Sequence, residues 1–258
     1  MNAIKTILFF DVDNTIYSNA EGIVPDDTKR LLAELSRRDD VALGLATGRG
    51  NTKLSVIADV LKFFTYRVLI NGAVVYKNDE IVYDQPIRIT DIENFLKRMD
   101  RCVGMVGLER EAVNVYDERV ASGMQEIRGH VPAVDPSFYR KNRVYQLWIF
   151  TDPETDLQTI HDEMSEFSLY PWHKGGVDFI YRHINKADGI KRALAGERDY
   201  RLICVGDGAN DIRMIEMADI GIAMANSRFQ ELKEKADHIA PHVLEHRLFT
   251  FFKELGLI

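Results

Sequence analysis

Two acidic side chains stand close together directly behind an apolar run: FFDVDNTIYS places Asp11 and Asp13 at the exit of a stretch of Ile, Leu and Phe. Carboxylates at i and i+2 of an extended exit can point to one side, where they repel each other unless they share a cation. Three further polar clusters follow apolar runs in the same way: LATGR with Thr47 and Gly48, INGA with Asn71, and ICVGDGAND with Asp207, Asn210 and Asp211. At Thr47 a hydroxyl precedes a glycine flexible enough to bring its backbone donor close to an anion. Lys186, in HINKADGIK, opens a predicted helix, where its ammonium and the helix N-terminus together favour negative charge. Arg49 and Asn71 are further candidates for contacts to such an anion or to the group that leaves it, and Asn71-Gly72 also reads as a tight turn.

Other chemistries fit less well. A calcium loop starting at Asp11 needs Gly at its sixth and Glu at its twelfth position, where Ile16 and Gly22 stand. GDGAND has Asp211 where a dinucleotide fingerprint needs its third glycine, and the chain contains no GxxxxGK[ST] run. His238, His242 and His246 recur every four residues, but Pro241 interrupts any helix that would align them, and they read as surface residues. Cys102 and Cys204 have no CxxC spacing, which argues against a disulfide framework or a zinc cluster.

The elements that must position these clusters alternate. AIKTILFF, DDTKRLLAELSRR, VALGLAT and YRVLINGAVVY read as apolar strands interleaved with an amphipathic helix, and continuous apolar strands indicate a parallel sheet covered on both faces. The last third repeats the pattern with ADGIKRALAGE, RLICVGD, NDIRMIEMA, DIGIAM, RFQELKEKA and a helix around LEHRLFTFFKEL. FTFFKELGLI suits either the packed face of that helix or an oligomer contact, which leaves monomer and homodimer both open. Between them RVYQLWIF and VDFIYR alternate as antiparallel strands do, and DPETDLQTIHDEMSEF reads as a helix. Thr90 and Glu93 fit a capping box at the start of TDIENFLKRM. Trp148 and the aromatic stretch YPWHKGG either line a substrate-facing surface or form a local core. The fold class expected is therefore α/β, with a parallel-sheet core at 1–83 and 183–258 and an α+β insertion at 84–182. All four clusters then fall at carboxyl ends of strands, where open α/β sheets collect ligands.

A chain of 258 residues, 46% hydrophobic and 28% charged, can bury a full core. Its net charge of -7 disfavours nucleic acid and anionic lipid, which require a basic footprint. ILFF is too short for a signal segment, no run approaches the ~20 apolar residues of a membrane span, and a reducing, cytoplasmic setting is expected.

Taken in order, DxDxT at Asp11 to Thr15, the Thr47 hydroxyl, Lys186 and GDxxND at Gly206 to Asp211 resemble the haloacid dehalogenase superfamily of phosphatases, and within it the Cof-like branch with a large type II cap. The resemblance implies a Rossmann-like core, Mg²⁺ and hydrolysis of a small phosphorylated metabolite through an aspartyl-phosphate. It assigns Asp11 as nucleophile and Asp13 as general acid and base, with Thr47, Gly48, Lys186 and Asn210 around the phosphoryl group. Asp11, Asp207 and the backbone carbonyl of Asp13 would hold the metal, with Asp211 supporting it or its waters. Asn14 replaces the usual glycine of DxDGT but tolerates left-handed angles, and Asn185 stands before the lysine where serine is frequent. A phosphomutase or phosphotransferase would use the same aspartyl-phosphate with a sugar hydroxyl as acceptor. A non-enzymatic binding module would be expected to have lost a reacting residue, and none is lost.

Overall fold

The computed structural model describes residues 5–128, 130–151, 157–171 and 175–258, and the chain divides into two compact units. One comprises Met1–Arg49, Lys53–Asp84 and Asn185–Ile258, the other Gly50–Thr52 and Gln85–Ile184. The first unit begins with β1 (Lys5–Phe10), α1 (Asp26–Leu35), β2 (Val41–Ala46), β3 (Tyr66–Leu69), β4 (Val74–Lys77) and β5 (Glu80–Asp84). The second holds α2 (Ile89–Met99), β6 (Gly104–Val106), β7 (Glu111–Val113), α3 (Glu118–Arg128), β8 (Ala133–Val134), α4 (Phe138–Lys141), β9 (Gln146–Phe150), α5 (Leu157–Glu163), β10 (Phe167–Pro171) and β11 (Gly176–Tyr181). The chain re-enters the first unit with α6 (Lys186–Ala193), β12 (Tyr200–Gly206), α7 (Ile212–Met217), β13 (Ile220–Met224), α8 (Gln230–Lys235), β14 (His238–Ala240) and α9 (Leu248–Glu254).

In the first unit the strand order is β14-β13-β12-β1-β2-β3-β4-β5. Pairing is parallel from β14 through β3 and antiparallel for β3–β4 and β4–β5. The Ile7–Phe10 run of β1 is buried on both faces, which is why its sequence is continuously apolar. Register sets Phe10 level with Leu45 of β2 and Val205 of β12, so the chain leaves three adjacent strands at one edge. The neighbours of β1 come from opposite sides of the second unit in sequence, which makes this edge a topological switch point.

α1 buries Leu31, Leu32 and Leu35 along one side. α9 buries Leu248, Phe249 and Phe252 and is capped by Asp27, which accepts the Phe249 N–H at 2.7 Å. Of the two roles open to FTFFKELGLI, packing of a last helix is the one these side chains serve.

YRVLINGAVVY, grouped with the strands of the parallel sheet, is a hairpin: the tight turn open at Asn71-Gly72 is formed within Ile70–Gly72, and β4 returns antiparallel to β3. The Thr90–Glu93 capping box is not formed. The N-cap of α2 lies two residues earlier, at Arg88, and has no side-chain cap. Arg88 pairs instead with Asp91, and Glu93 accepts from Tyr139 and Arg140.

The second unit carries a sheet in the order β10-β11-β9-β6-β7-β8, in which β9 and β11 are antiparallel as their alternation implied. Trp148 belongs to this unit's own core, with Cys102, Val106, Val113, Val120 and Met124. Residues 172–174 of YPWHKGG and 152–156 of the expected helix lie outside the described residues. Among the described residues no helix is long and apolar enough to cross a membrane.

Candidate active site

Asp11 is the first residue beyond β1, its N–H bonded to the Val205 carbonyl of β12 at 2.9 Å. Its Oδ1 accepts from Lys186 Nζ at 2.6 Å, and the same ammonium donates to Asp211 Oδ1 at 2.6 Å. Lys186 is the first residue of α6, whose N-cap Asn185 accepts the Asp188 N–H at 2.9 Å. Asn caps as well as the more frequent serine would, so the substitution preserves this helix start.

Asp211 is fully buried and faces inward because Gly206 lacks a side chain: a Cβ there would lie 2.5 Å from the Asp211 carboxylate. Its Oδ2 accepts the N–H groups of Asp207 and Gly208 at 3.0 and 2.9 Å, which folds the GDGAND loop around it. Asp207, at the exit of β12, presents a half-buried carboxylate. One ligand oxygen each from Asp11, Asp207 and Asp211 lies within 4.8 Å of the others.

Electrostatics follow from this crowding. Burial pushes Asp11 well above the ordinary carboxylate range; Lys186 opposes the push, while Asp211, Asp207 and Asp13 add to it. Burial and then Asp211 push Asp207 up to about 7. Burial works against the Lys186 charge, yet Asp11 and Asp211 together hold the ammonium above its usual range. Among the described residues one cation is bonded within a group of three carboxylates, so two negative charges are left in excess if all three ionise.

Asp13 departs from the expectation that its side chain would share an ion with that of Asp11. Beyond Asp11 the chain is not extended: the Thr15, Ile16 and Tyr17 N–H groups all turn back to the Val12 carbonyl, and Asn14 is left-handed at φ 51. The i, i+2 rule therefore stops at the strand end. The Asp13 carboxylate is gripped by the Arg49 guanidinium through bonds of 2.9 and 2.7 Å, and it is not part of the three-carboxylate group. Asn14 adopts the left-handed backbone that its replacement of glycine required.

Thr47 follows β2, fully buried, with its Oγ1 accepting the Arg49 N–H at 3.1 Å. Gly48 comes next, and Asn71 packs over it, its Nδ2 3.4 Å from where a Gly48 Cβ would stand. Asn210 Nδ2 donates to Asn71 Oδ1 at 2.8 Å. Sequence reasoning missed Asn226, two residues beyond β13. Its Nδ2 bonds the Asn14 carbonyl at 2.9 Å and Asp207 Oδ2 at 3.4 Å, and its Oδ1 accepts the Val243 N–H at 2.9 Å. The signal was available, since ANS follows the apolar DIGIAM run as the other clusters follow theirs. The three histidines do not converge: His242 accepts the Leu244 N–H and His246 bonds Glu21.

The family model of haloacid dehalogenase-like hydrolases matches residues 8–250, almost the whole chain. The chain belongs to this family. The hydrolase is 30% identical to YkrA of Bacillus subtilis (strain 168), a protein that carries a phosphatase name, over 98% of each chain. It is similar to a solved structure from Geobacillus kaustophilus HTA426 with a TM-score of 0.88 and 25% identity, covering 98% of this chain and 100% of that one. BT4131, described as a sugar phosphatase of subclass IIB, has the same fold at a TM-score of 0.82 and 22% identity, covering 98% of the hydrolase and 100% of its own chain. The resemblance drawn from the ordered motifs thus holds across the hydrolase.

Proposed function

We propose that this hydrolase is a Mg²⁺-dependent phosphatase of small phosphorylated metabolites: sugar phosphates, or nucleotide and cofactor monophosphates. The observation that carries the reading is charge imbalance. Asp11, Asp207 and Asp211 converge around the single ammonium of Lys186, and a divalent ion matches the excess. An all-oxygen donor set suits a hard cation. Asp11, Asp207 and the Asp13 carbonyl would hold Mg²⁺, with Asp211 in support. When bound, the ion offsets the repulsion between a carboxylate and an incoming phosphate.

The reacting groups belong to the chain. Asp11 Oδ1 is tied to Lys186, and its other oxygen attacks phosphorus, forming an aspartyl-phosphate as the bond to the leaving oxygen breaks. Asp13, beside the nucleophile but outside the carboxylate group, protonates the leaving oxygen. It then takes the proton of the water that attacks the aspartyl-phosphate, releasing inorganic phosphate and regenerating Asp11. Thr47, Gly48, Lys186 and Asn210 hold the phosphoryl oxygens, where fixed donors stabilise developing charge. Residues 1–83 and 183–258 carry this chemistry, and the inserted 84–182 acts as the cap that selects the substrate.

The test is hydrolysis of p-nitrophenyl phosphate. Turnover is expected with Mg²⁺, is lost with EDTA and returns when Mg²⁺ is restored. Undiminished turnover under chelation contradicts the metal reading, and undiminished turnover by Asp11→Asn contradicts the nucleophile.

A further inference from the structure

The hairpin turn at Ile70–Gly72 is backbone under constraint. Ile70, Asn71 and Gly72 have φ of 50, 54 and 103, and the left-handed region is costly for a β-branched residue such as Ile70. Two bonds to one neighbouring segment and a close approach to another over-determine the turn. Ile70 N–H donates to the Arg49 carbonyl at 3.0 Å and Asn71 N–H to the Thr47 carbonyl at 2.9 Å. Gly72 sits so close to the start of α6 that a Cβ would lie 2.4 Å from the Asn185 carbonyl oxygen. What this strain positions is one side chain.

Asn71 is only 3% exposed. Its carboxamide oxygen accepts from Asn210 Nδ2, which fixes the orientation of the group, and the amide lies over Gly48 with its nitrogen 3.4 Å and its oxygen 3.6 Å from where a Cβ would stand. Among the described residues nothing accepts from that nitrogen. The nitrogen is not sealed off, and through the little surface it keeps exposed a ligand oxygen can complete it. Its neighbours are Gly48 and Asn210 by side chain and Thr47 by backbone, three of the four groups assigned to the phosphoryl oxygens.

We propose that Asn71 contacts the substrate, donating from Nδ2 to an oxygen of the phosphoryl group. The role deepens the phosphatase reading and rests on it. No proton is transferred; the amide supplies a fixed dipole to an anion, and its Oδ1 bond to Asn210 keeps the acceptor end turned away.

Two variants separate this role from a structural one, since Gly and Asp both tolerate the left-handed angles of the turn. Asn71→Gly removes the amide. Asn71→Asp keeps an acceptor for Asn210 but puts an oxygen where the donor was. Binding of inorganic phosphate in Mg²⁺ is measured by calorimetry and as competitive inhibition, with melting temperatures alongside. Asn71→Gly is expected to weaken phosphate about tenfold and Asn71→Asp about a hundredfold, with KM rising in step. In the wild-type chain the Asn71 side-chain amide resonances should shift when phosphate is added. Wild-type affinity in Asn71→Gly, or rescue by Asn71→Asp, overturns the donor role, as does an amide signal that ignores phosphate. A wild-type chain that binds no phosphate in Mg²⁺ overturns this role and the phosphatase reading together, whereas variants that bind phosphate as tightly as a binding-competent wild type overturn this role alone.

Discussion

Two ionic clusters lie in the same unit and are opposite in design. At one, Lys186 is enclosed by Asp11 and Asp211 with Asp207 close by, and burial pushes Asp11 and Asp207 up, Asp207 to about 7. At the other, Glu197 receives Lys77 at 2.8 Å, Tyr66 at 2.7 Å and Lys5 at 3.2 Å, and these bonds hold its carboxyl down at about 2. The Glu197 cluster satisfies its acid with more donors than it needs, and ties together β1, β3, β4 and the segment after α6. The Asp11 cluster does the reverse, keeping buried acids that the described residues do not fully neutralise. A self-satisfied cluster serves the fold, and one left short of positive charge is built for a ligand.

The sharpest way to break the contrast is Asp11→Asn. Loss of the nucleophile is expected to lower p-nitrophenyl phosphate turnover by more than about a thousandfold. The metal-free melting temperature should hold or rise, because one of the crowded acids is gone; a large fall would make Asp11 a structural residue of the Glu197 kind.

Lys186→Met should act on the fold instead. Removing the Lys186 ammonium from a buried group of acids costs on the order of 3–5 kcal/mol, read as a drop in denaturant midpoint at pH 8. A neutral result would mean that the acids are not ionised around it.

The next largest effect is pH-dependent. Raised carboxyls bind protons in the folded state that the unfolded chain has already lost. The metal-free chain should therefore lose stability as pH rises from the ordinary value of 3.8 through about 7. Added Mg²⁺ should raise the melting temperature more at pH 8 than at pH 5, by thermal denaturation in matched buffers. An increment independent of pH would place the ion elsewhere.

Glu197→Gln gives the smallest and opposite response. A depressed carboxyl contributes stability above its ordinary value of 4.5 and loses it as pH falls toward about 2. After allowance for partial exposure, the variant should be weaker by about 1–2 kcal/mol at pH 7, with the gap closing in acid. A gap that widened in acid would reverse the assignment.

Legibility in the sequence followed the same division. Strand exits were readable because a fully buried strand leaves a continuous apolar run, and ILFF, VALGLA and LICVG each end at a polar cluster that the register brings to one edge. The carboxylate group of Asp11, Asp207 and Asp211 was readable for that reason. Where the backbone leaves regular geometry, spacing misled. Asp13 was placed by strand alternation, but Val12–Tyr17 is a turn, and Arg49 claims its carboxylate. YRVLINGAVVY hid a reversal because apolar residues fill both arms of the hairpin, leaving Asn71-Gly72 as its only mark. Thr90 and Glu93 had the capping spacing, yet Arg140 and Tyr139, distant in sequence, drew Glu93 away. Asn226 went unread because a single Asn after a strand gains meaning only once Asn14 and Asp207 are beside it.

The uncompensated charge of the Asp11 cluster is most directly tested by calorimetric titration of Mg²⁺ into the substrate-free chain at pH 7, repeated in buffers of different ionisation enthalpy. The account predicts one bound ion per chain with release of protons, seen as a buffer-dependent heat that Asp207→Asn diminishes. Absence of binding, or binding whose heat is the same in every buffer and in the variant, would contradict it.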